Sequence, residues 1–202
     1  MVISHRHKFI FIKTSKTAGT SLEVFLSDVC GEEDVLTPII PHVEPHRPRN
    51  FKDGGFFNHM PGQQIAGLIS PEIWDNYFKF CVERNPWDKT LSHFHMLKYR
   101  AEEPLSLAQY FEKKSFPRDF GKYTNTMGEL LVDKILRYET LDQELGSLFA
   151  DLGIPYAGSI GVWAKSAYRT DRRHYSNILT AQQADEVAQV FSREIELLGY
   201  EF

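Results

Sequence analysis

The sequence predicts an α/β fold with a central, mainly parallel sheet flanked by helices. Three observations carry this. Short apolar runs at 9–13 and 77–84 each lead into a helical pattern. A third run at 132–138 does the same. Strands that alternate with helices pair in parallel, because each helix is the crossover between neighbouring strands. The 202 residues suffice for one sizeable core, and the chain reads as a single domain over 1–202 without a linker.

The elements follow in order. Phe9 to Lys13 reads as a buried strand, and a helix follows over 20–29. Residues 37–63 hold five prolines and three glycines, an irregular segment of the length that often carries function. Short helices fit 62–69 and 71–76. After the strand at 77–84, Asn85 caps a helix, Pro86 opens it, and it runs to about residue 100. Further helices fit 105–114 and 141–152, the latter stopped by Gly153 and Pro155. Thr180 with Gln183 forms a capping box for the last helix. Ala184, Val187, Ala188, Phe191, Ile195 and Leu198 are its apolar stripe.

Composition removes several function classes. A net charge of −4 is wrong for a generic nucleic-acid binder. No apolar stretch reaches the length of a membrane span, and the apolar run after the charged, His-rich 1–8 is too short for a signal peptide. Two cysteines, Cys30 and Cys81, make no disulfide framework, and Cys81 lies in an apolar run. The expectation is a cytoplasmic protein with no membrane or nucleic-acid partner.

Two places carry chemistry. In Lys13-Thr14-Ser15-Lys16-Thr17-Ala18-Gly19-Thr20-Ser21 a strand meets a helix through a small, hydroxyl-rich, basic turn. A helix N-terminus offers free N–H groups and a positive dipole end, which suit phosphate or sulfate. Gly19 would let the backbone approach a ligand, Thr20 and Ser21 add hydroxyls, and Lys16 adds charge. Residue types alone fit equally a plain turn with a solvated lysine. The turn is not a Walker A loop: its first glycine is missing and Lys16 precedes Gly19, which disfavours a magnesium-dependent NTPase or a P-loop kinase. The second place is Cys81-Val82-Glu83-Arg84-Asn85-Pro86-Trp87-Asp88-Lys89-Thr90-Leu91-Ser92. Arg84 stands at the carboxyl end of a strand, where α/β proteins bind ligands. Ser92 lies two helical turns past the cap, on the same face. The pair could grip a second phosphate, or Arg84 could simply pair with a helix-end carboxylate.

KTAGTS after one strand and VERNPWDKTLSHF after a later one resemble the PAPS-dependent sulfotransferases, closest to their carbohydrate-sulfotransferase branch and its small bacterial members. The resemblance continues through ILRYETLDQELGSLFADLGIP and HYSN to SREIELLGYEF, and is weakest over 30–60. It implies a three-layer P-loop-like fold and sulfuryl transfer from 3′-phosphoadenosine 5′-phosphosulfate (PAPS) to an acceptor hydroxyl of a small molecule or glycan. No metal is expected. It assigns Lys16, Thr17, Ala18, Gly19, Thr20 and Ser21 to the 5′-phosphosulfate, and Arg84 with Ser92 to the 3′-phosphate. Lys89 stands where relatives often carry Arg, at a position read as peripheral.

An acceptor hydroxyl must lose a proton, so a base is sought. His59, in the irregular segment before a helix, is the candidate, although it equally fits a helix cap or packing against Phe56. His42 and His46 have a metal-compatible spacing without further ligands, and His93 and His95 face different sides of their helix. Lys165, Arg172 and Arg173, in the basic stretch 165–175, either help hold the 3′-phosphate or line a solvated loop. Glu139 is read as structural. A non-catalytic nucleotide-bisphosphate-binding module is the alternative that keeps both motifs.

Overall fold

The computed structural model describes residues 1–161, 168–169 and 171–202. The strands are β1 (Val2–Ser4), β2 (Phe9–Phe11), β3 (Val35–Leu36), β4 (Phe78–Glu83) and β5 (Lys134–Arg137). The helices are α1 (Gly19–Val29), α2 (Gly62–Leu68), α3 (Pro71–Asn76), α4 (Pro86–Arg100), α5 (Leu107–Glu112), α6 (Phe120–Tyr123), α7 (Leu141–Asp151), α8 (Ala181–Val190) and α9 (Ser192–Leu198). They fall into two compact units, Met1–Glu83 with Gly121–Ala164, and Arg84–Phe120 with Lys165–Phe202.

The first unit holds the sheet, in the order β3-β1-β2-β4-β5. The expected parallel centre is present: β2 pairs with β4, and β4 with β5. β2 is apolar on both faces, whereas β4 has Phe78, Phe80 and Val82 on one face and Lys79, Cys81 and Glu83 on the other. Phe9, Phe11, Phe80, Val82 and Leu136 pack with Leu22 and Leu26 of α1 and with Leu141, Leu145 and Leu148 of α7. The alternate positions Ile10 and Cys81 are fully buried too. Phe11 stacks on Phe80 at 5.1 Å, and Phe25 on Phe149 at 5.4 Å. Both cysteines are buried, and neither is in a disulfide. Burial first, then Asp34, pushes the Cys30 thiol up to about 12, so it stays protonated.

Two antiparallel strands extend this centre. β1 pairs with β2, Val2 opposite Phe11, and β3 pairs with β1. Sequence reading passed over β1 because its apolar part is two residues before a charged turn. The turn is pinned by buried Asp34, which accepts from Ser4 Oγ at 2.7 Å, His5 N–H at 2.7 Å and Gly31 N–H at 2.8 Å. With the Arg6 N–H at 3.2 Å, four donors on one carboxylate supply what the short strand lacks in length.

The second unit has its own core of Trp87, Leu91, Phe94, Tyr110, Phe111, Val187, Phe191 and Tyr200. Asn85 caps α4 as expected: its Oδ1 accepts from the N–H groups of Trp87 at 3.1 Å and Asp88 at 3.3 Å. Its amide donates to Tyr175 Oη at 3.1 Å and to the Glu201 carbonyl at 3.2 Å. Thr180 and Gln183 form the expected capping box. The last helix is two helices, however. Phe191 leaves helical geometry at φ −108°, ψ 25°, and its ring is fully buried. Among the described residues no helix is long and apolar enough to cross a membrane.

Lys89 is not peripheral. It is fully buried, with its ammonium 2.8 Å from the equally buried Asp119 carboxylate and above the Phe191 ring. Removing one partner of such a pair strands the other charge in an apolar core. Lys89→Ala should therefore cost about 3 kcal/mol or more in urea denaturation. A loss within about 0.5 kcal/mol, the range of an ordinary surface change, would contradict this reading.

Candidate functional site

The turn between β2 and α1 is strained and uncapped. Lys16 has φ 63° and Ala18 φ 59°, both in the left-handed region without being glycine. Each such residue costs about 1–2 kcal/mol. Thr17, between them, does not share the positive φ. Such sign alternation turns successive N–H groups towards one concavity, an anion nest. The helices α3, α4, α5 and α8 each have a side chain accepting from their first turn, whereas α1, like α2, α7 and α9, has no side-chain cap. The first turn of α1 also contains no acidic residue. Neither a cap side chain nor a first-turn carboxylate therefore offsets the positive end of α1.

The framework beneath the turn is ionic. Lys13 Nζ lies 2.5 Å from Glu23 Oε2, and the Met1 amino group lies 2.5 Å from Glu23 Oε1. All three groups are buried. Burial alone would raise the Glu23 carboxyl, but the Met1 amino group and Lys13 outweigh it and hold it below the ordinary carboxylate range. The Lys13 stem runs against Gly19: a Cβ there would meet Lys13 Cγ at 2.9 Å. Gly19 therefore makes room for the lysine stem, where the sequence suggested room for a ligand. Thr17 is also turned inward. Its hydroxyl lies 2.8 Å from Thr14 Oγ1, which in turn donates to the Val82 carbonyl. Lys16 and Thr20 are half-buried, and Ser21 is buried in the first turn.

His59 arrives at this turn from the irregular segment. Its Nδ1 lies 3.2 Å from the Lys13 carbonyl. A carbonyl only accepts, so Nδ1 carries the proton and Nε2 the lone pair, the tautomer a general base needs. Lys122, on α6, was not singled out in the sequence because no motif surrounds it. Its ammonium donates to Ser15 Oγ at 3.4 Å. The other histidines are engaged elsewhere. His42 pairs with Glu44 at 3.0 Å, His46 donates to the Thr37 carbonyl at 2.9 Å, and His93 meets Tyr110 Oη at 3.0 Å. Burial first, then Arg169 and Lys98, lowers the His95 imidazole. Among the described residues no cluster of three or more His, Cys, Asp or Glu side chains is placed for a metal.

In the second unit Arg84 is buried at the head of α4. Its Nε donates to Asp88 Oδ2 at 2.7 Å, and Nη2 lies 2.5 Å from the same oxygen. Arg169 donates through Nη1 to the other oxygen, Oδ1. Burial opposes the Asp88 charge, but Arg84 and then Arg169 hold its carboxyl below the usual range. Ser92, half-buried, follows one turn later on the same face. Arg84 thus does pair with a helix-end carboxylate, and that carboxylate gathers a second arginine that sequence reading missed. The signal was faint: Arg169 is one of several basic residues in 165–175. Of those named from the sequence, Arg172 is exposed, and Arg173 closes its fork on Asp171, with Nη2 to Oδ2 at 2.7 Å. Lys165 lies outside the described residues.

No family model matches the chain. Over 102 residues it is 30% identical to an uncharacterized protein of Archaeoglobus fulgidus, a match covering 48% of this chain and 84% of the archaeal one. Among solved structures it is similar to mouse sulfotransferase SULT7A1 complexed with PAP, with 16% identity, 96% of this chain and 85% of that one covered, and a TM-score of 0.51. A sulfotransferase from Alicyclobacillus acidocaldarius aligns over 96% of both chains at 17% identity and a TM-score of 0.43. The chain belongs to the same family as the Archaeoglobus fulgidus protein, and its fold is that of the sulfotransferases.

Proposed function

We propose that the chain is a PAPS-dependent sulfotransferase acting on an acceptor hydroxyl, a carbohydrate being the acceptor class its sequence resembles. The observation that carries this reading is the strained turn at Lys16–Ser21, without a side-chain cap on its helix, with His59 anchored on the Lys13 carbonyl that precedes it. The PAP in the mouse structure's complex supports the choice of nucleotide. So does the pair of motifs: the Lys16 turn for the 5′-phosphosulfate, and Arg84, Arg169 and Ser92 for the 3′-phosphate.

PAPS supplies the sulfuryl group. As the sulfur–oxygen bond to the 5′-phosphate breaks, negative charge returns to that phosphate. Lys16 and the N–H groups of Gly19, Thr20 and Ser21 meet that charge from fixed positions, which is the largest single contribution a site of this kind makes. His59 Nε2 takes the proton of the acceptor hydroxyl as its oxygen bonds to sulfur. Lys122, beside Ser15, keeps the rim of the turn cationic.

Lys16→Ala should lower the transfer of labelled sulfate from PAPS by about 10²–10³-fold. Binding of 3′-phosphoadenosine 5′-phosphate (PAP), followed by calorimetry, should weaken much less. Undiminished turnover in that variant would remove Lys16 from the chemistry.

With His59 as base, kcat/KM in the wild type rises with pH as the imidazole loses its proton. His59→Ala should lose that limb and about 10²-fold in rate. An unchanged pH–rate profile in the variant would exclude His59 as the base.

A further inference from the structure

Asp88 is placed where simple charge reasoning would not put it. A carboxylate next to a phosphate site repels the ligand, so its presence calls for a compensating role. The geometry provides one. Asp88 is the shared acceptor of two guanidinium groups, Arg84 on Oδ2 and Arg169 on Oδ1. Arg169 spends its other donors on backbone, Nε on the Asp171 carbonyl at 2.8 Å and Nη2 on the Arg173 carbonyl at 3.0 Å. One carboxylate thus fixes the planes of two long side chains and ties the carbonyls of Asp171 and Arg173, through Arg169, to the first turn of α4. Its own position is fixed by the helix, where its N–H is held by the Asn85 cap. An acidic residue in the first turn is also favoured by the helix dipole.

We infer that Asp88 is a positioning residue of the 3′-phosphate site, acting through Arg84 and Arg169 rather than on the ligand. This rests on the PAPS reading. Arginine recognises phosphate as a planar fork, so its affinity depends on orientation as much as on charge. Two unanchored guanidinium groups lose more on being ordered around a ligand than two already held. Orientation and charge then predict opposite signs for the same substitution. Removing the Asp88 charge tightens anion binding if charge dominates and weakens it if orientation does.

The test is calorimetric binding of PAP and of adenosine 5′-phosphate, which lacks the 3′-phosphate, to the full chain. The wild type should bind PAP the more tightly. Asp88→Asn should weaken PAP about tenfold while leaving adenosine 5′-phosphate unchanged. Arg169→Gln should do the same, and the double variant should be no weaker than either single one, because both break one unit. Asp88→Glu, which keeps the charge one methylene further out, should recover part of the loss. Tighter PAP binding by Asp88→Asn overturns the inference, as do additive losses or an equal loss for adenosine 5′-phosphate. A wild type that does not distinguish the two nucleotides removes the PAPS reading itself, before any variant is compared.

Discussion

The buried ion pair of Lys13 and Glu23 underlies the first candidate site. It joins the end of β2 to the second turn of α1, and the turn carrying Lys16 spans the gap between them. Two left-handed, non-glycine residues in three positions are costly, and a free chain would relax them. The pair prevents that from below, while Thr14 and Thr17 tie the turn to the Val82 carbonyl of β4. A buried pair of this kind adds little net stability, since desolvation offsets most of the attraction. Its contribution lies in geometry: charges that cannot be separated hold the backbone above them in one shape.

The same device recurs in the second unit with a different use. Lys89 and Asp119 form a closed pair inside the core. Asp88, the preceding residue of the same helix, points about a quarter-turn away and gathers Arg84 and Arg169. Neighbouring residues of one helix thus divide two tasks, one securing the packing of α4 and one arranging cations at its head. Helix periodicity makes this possible, because consecutive residues point about a quarter-turn apart.

Much of this fold was legible in the sequence for plain reasons. β2, β4 and β5 lie in short apolar runs that lead into helices, and Asn85-Pro86 and Thr180 with Gln183 announce their helices through hydrogen-bonding chemistry that acts locally. β1 was not legible, because it exists through pairing with β2 and through Asp34, a residue thirty positions away. The break at Phe191 was hidden by an apolar stripe that continues across it. At the candidate sites the residue types of Lys16, Arg84 and Ser92 were visible in the motifs, and His59 stood out in its segment. Their partners were not. That Gly19 accommodates Lys13 depends on how the turn folds back on itself, and that Lys122 reaches Ser15 and Asp88 joins Arg84 to Arg169 depends on contacts between distant parts of the chain within each unit.

The central claim is sulfuryl transfer, and wild-type turnover tests it most directly. The protein would be incubated with radiolabelled PAPS and a panel of sugars, phenols, alcohols and amines, and both products counted. The account predicts that label moves to a hydroxyl-bearing acceptor, with one PAP released for each sulfate ester formed and no need for added magnesium. Tight PAP binding with no transfer to any acceptor would contradict it and leave a nucleotide-binding module in its place.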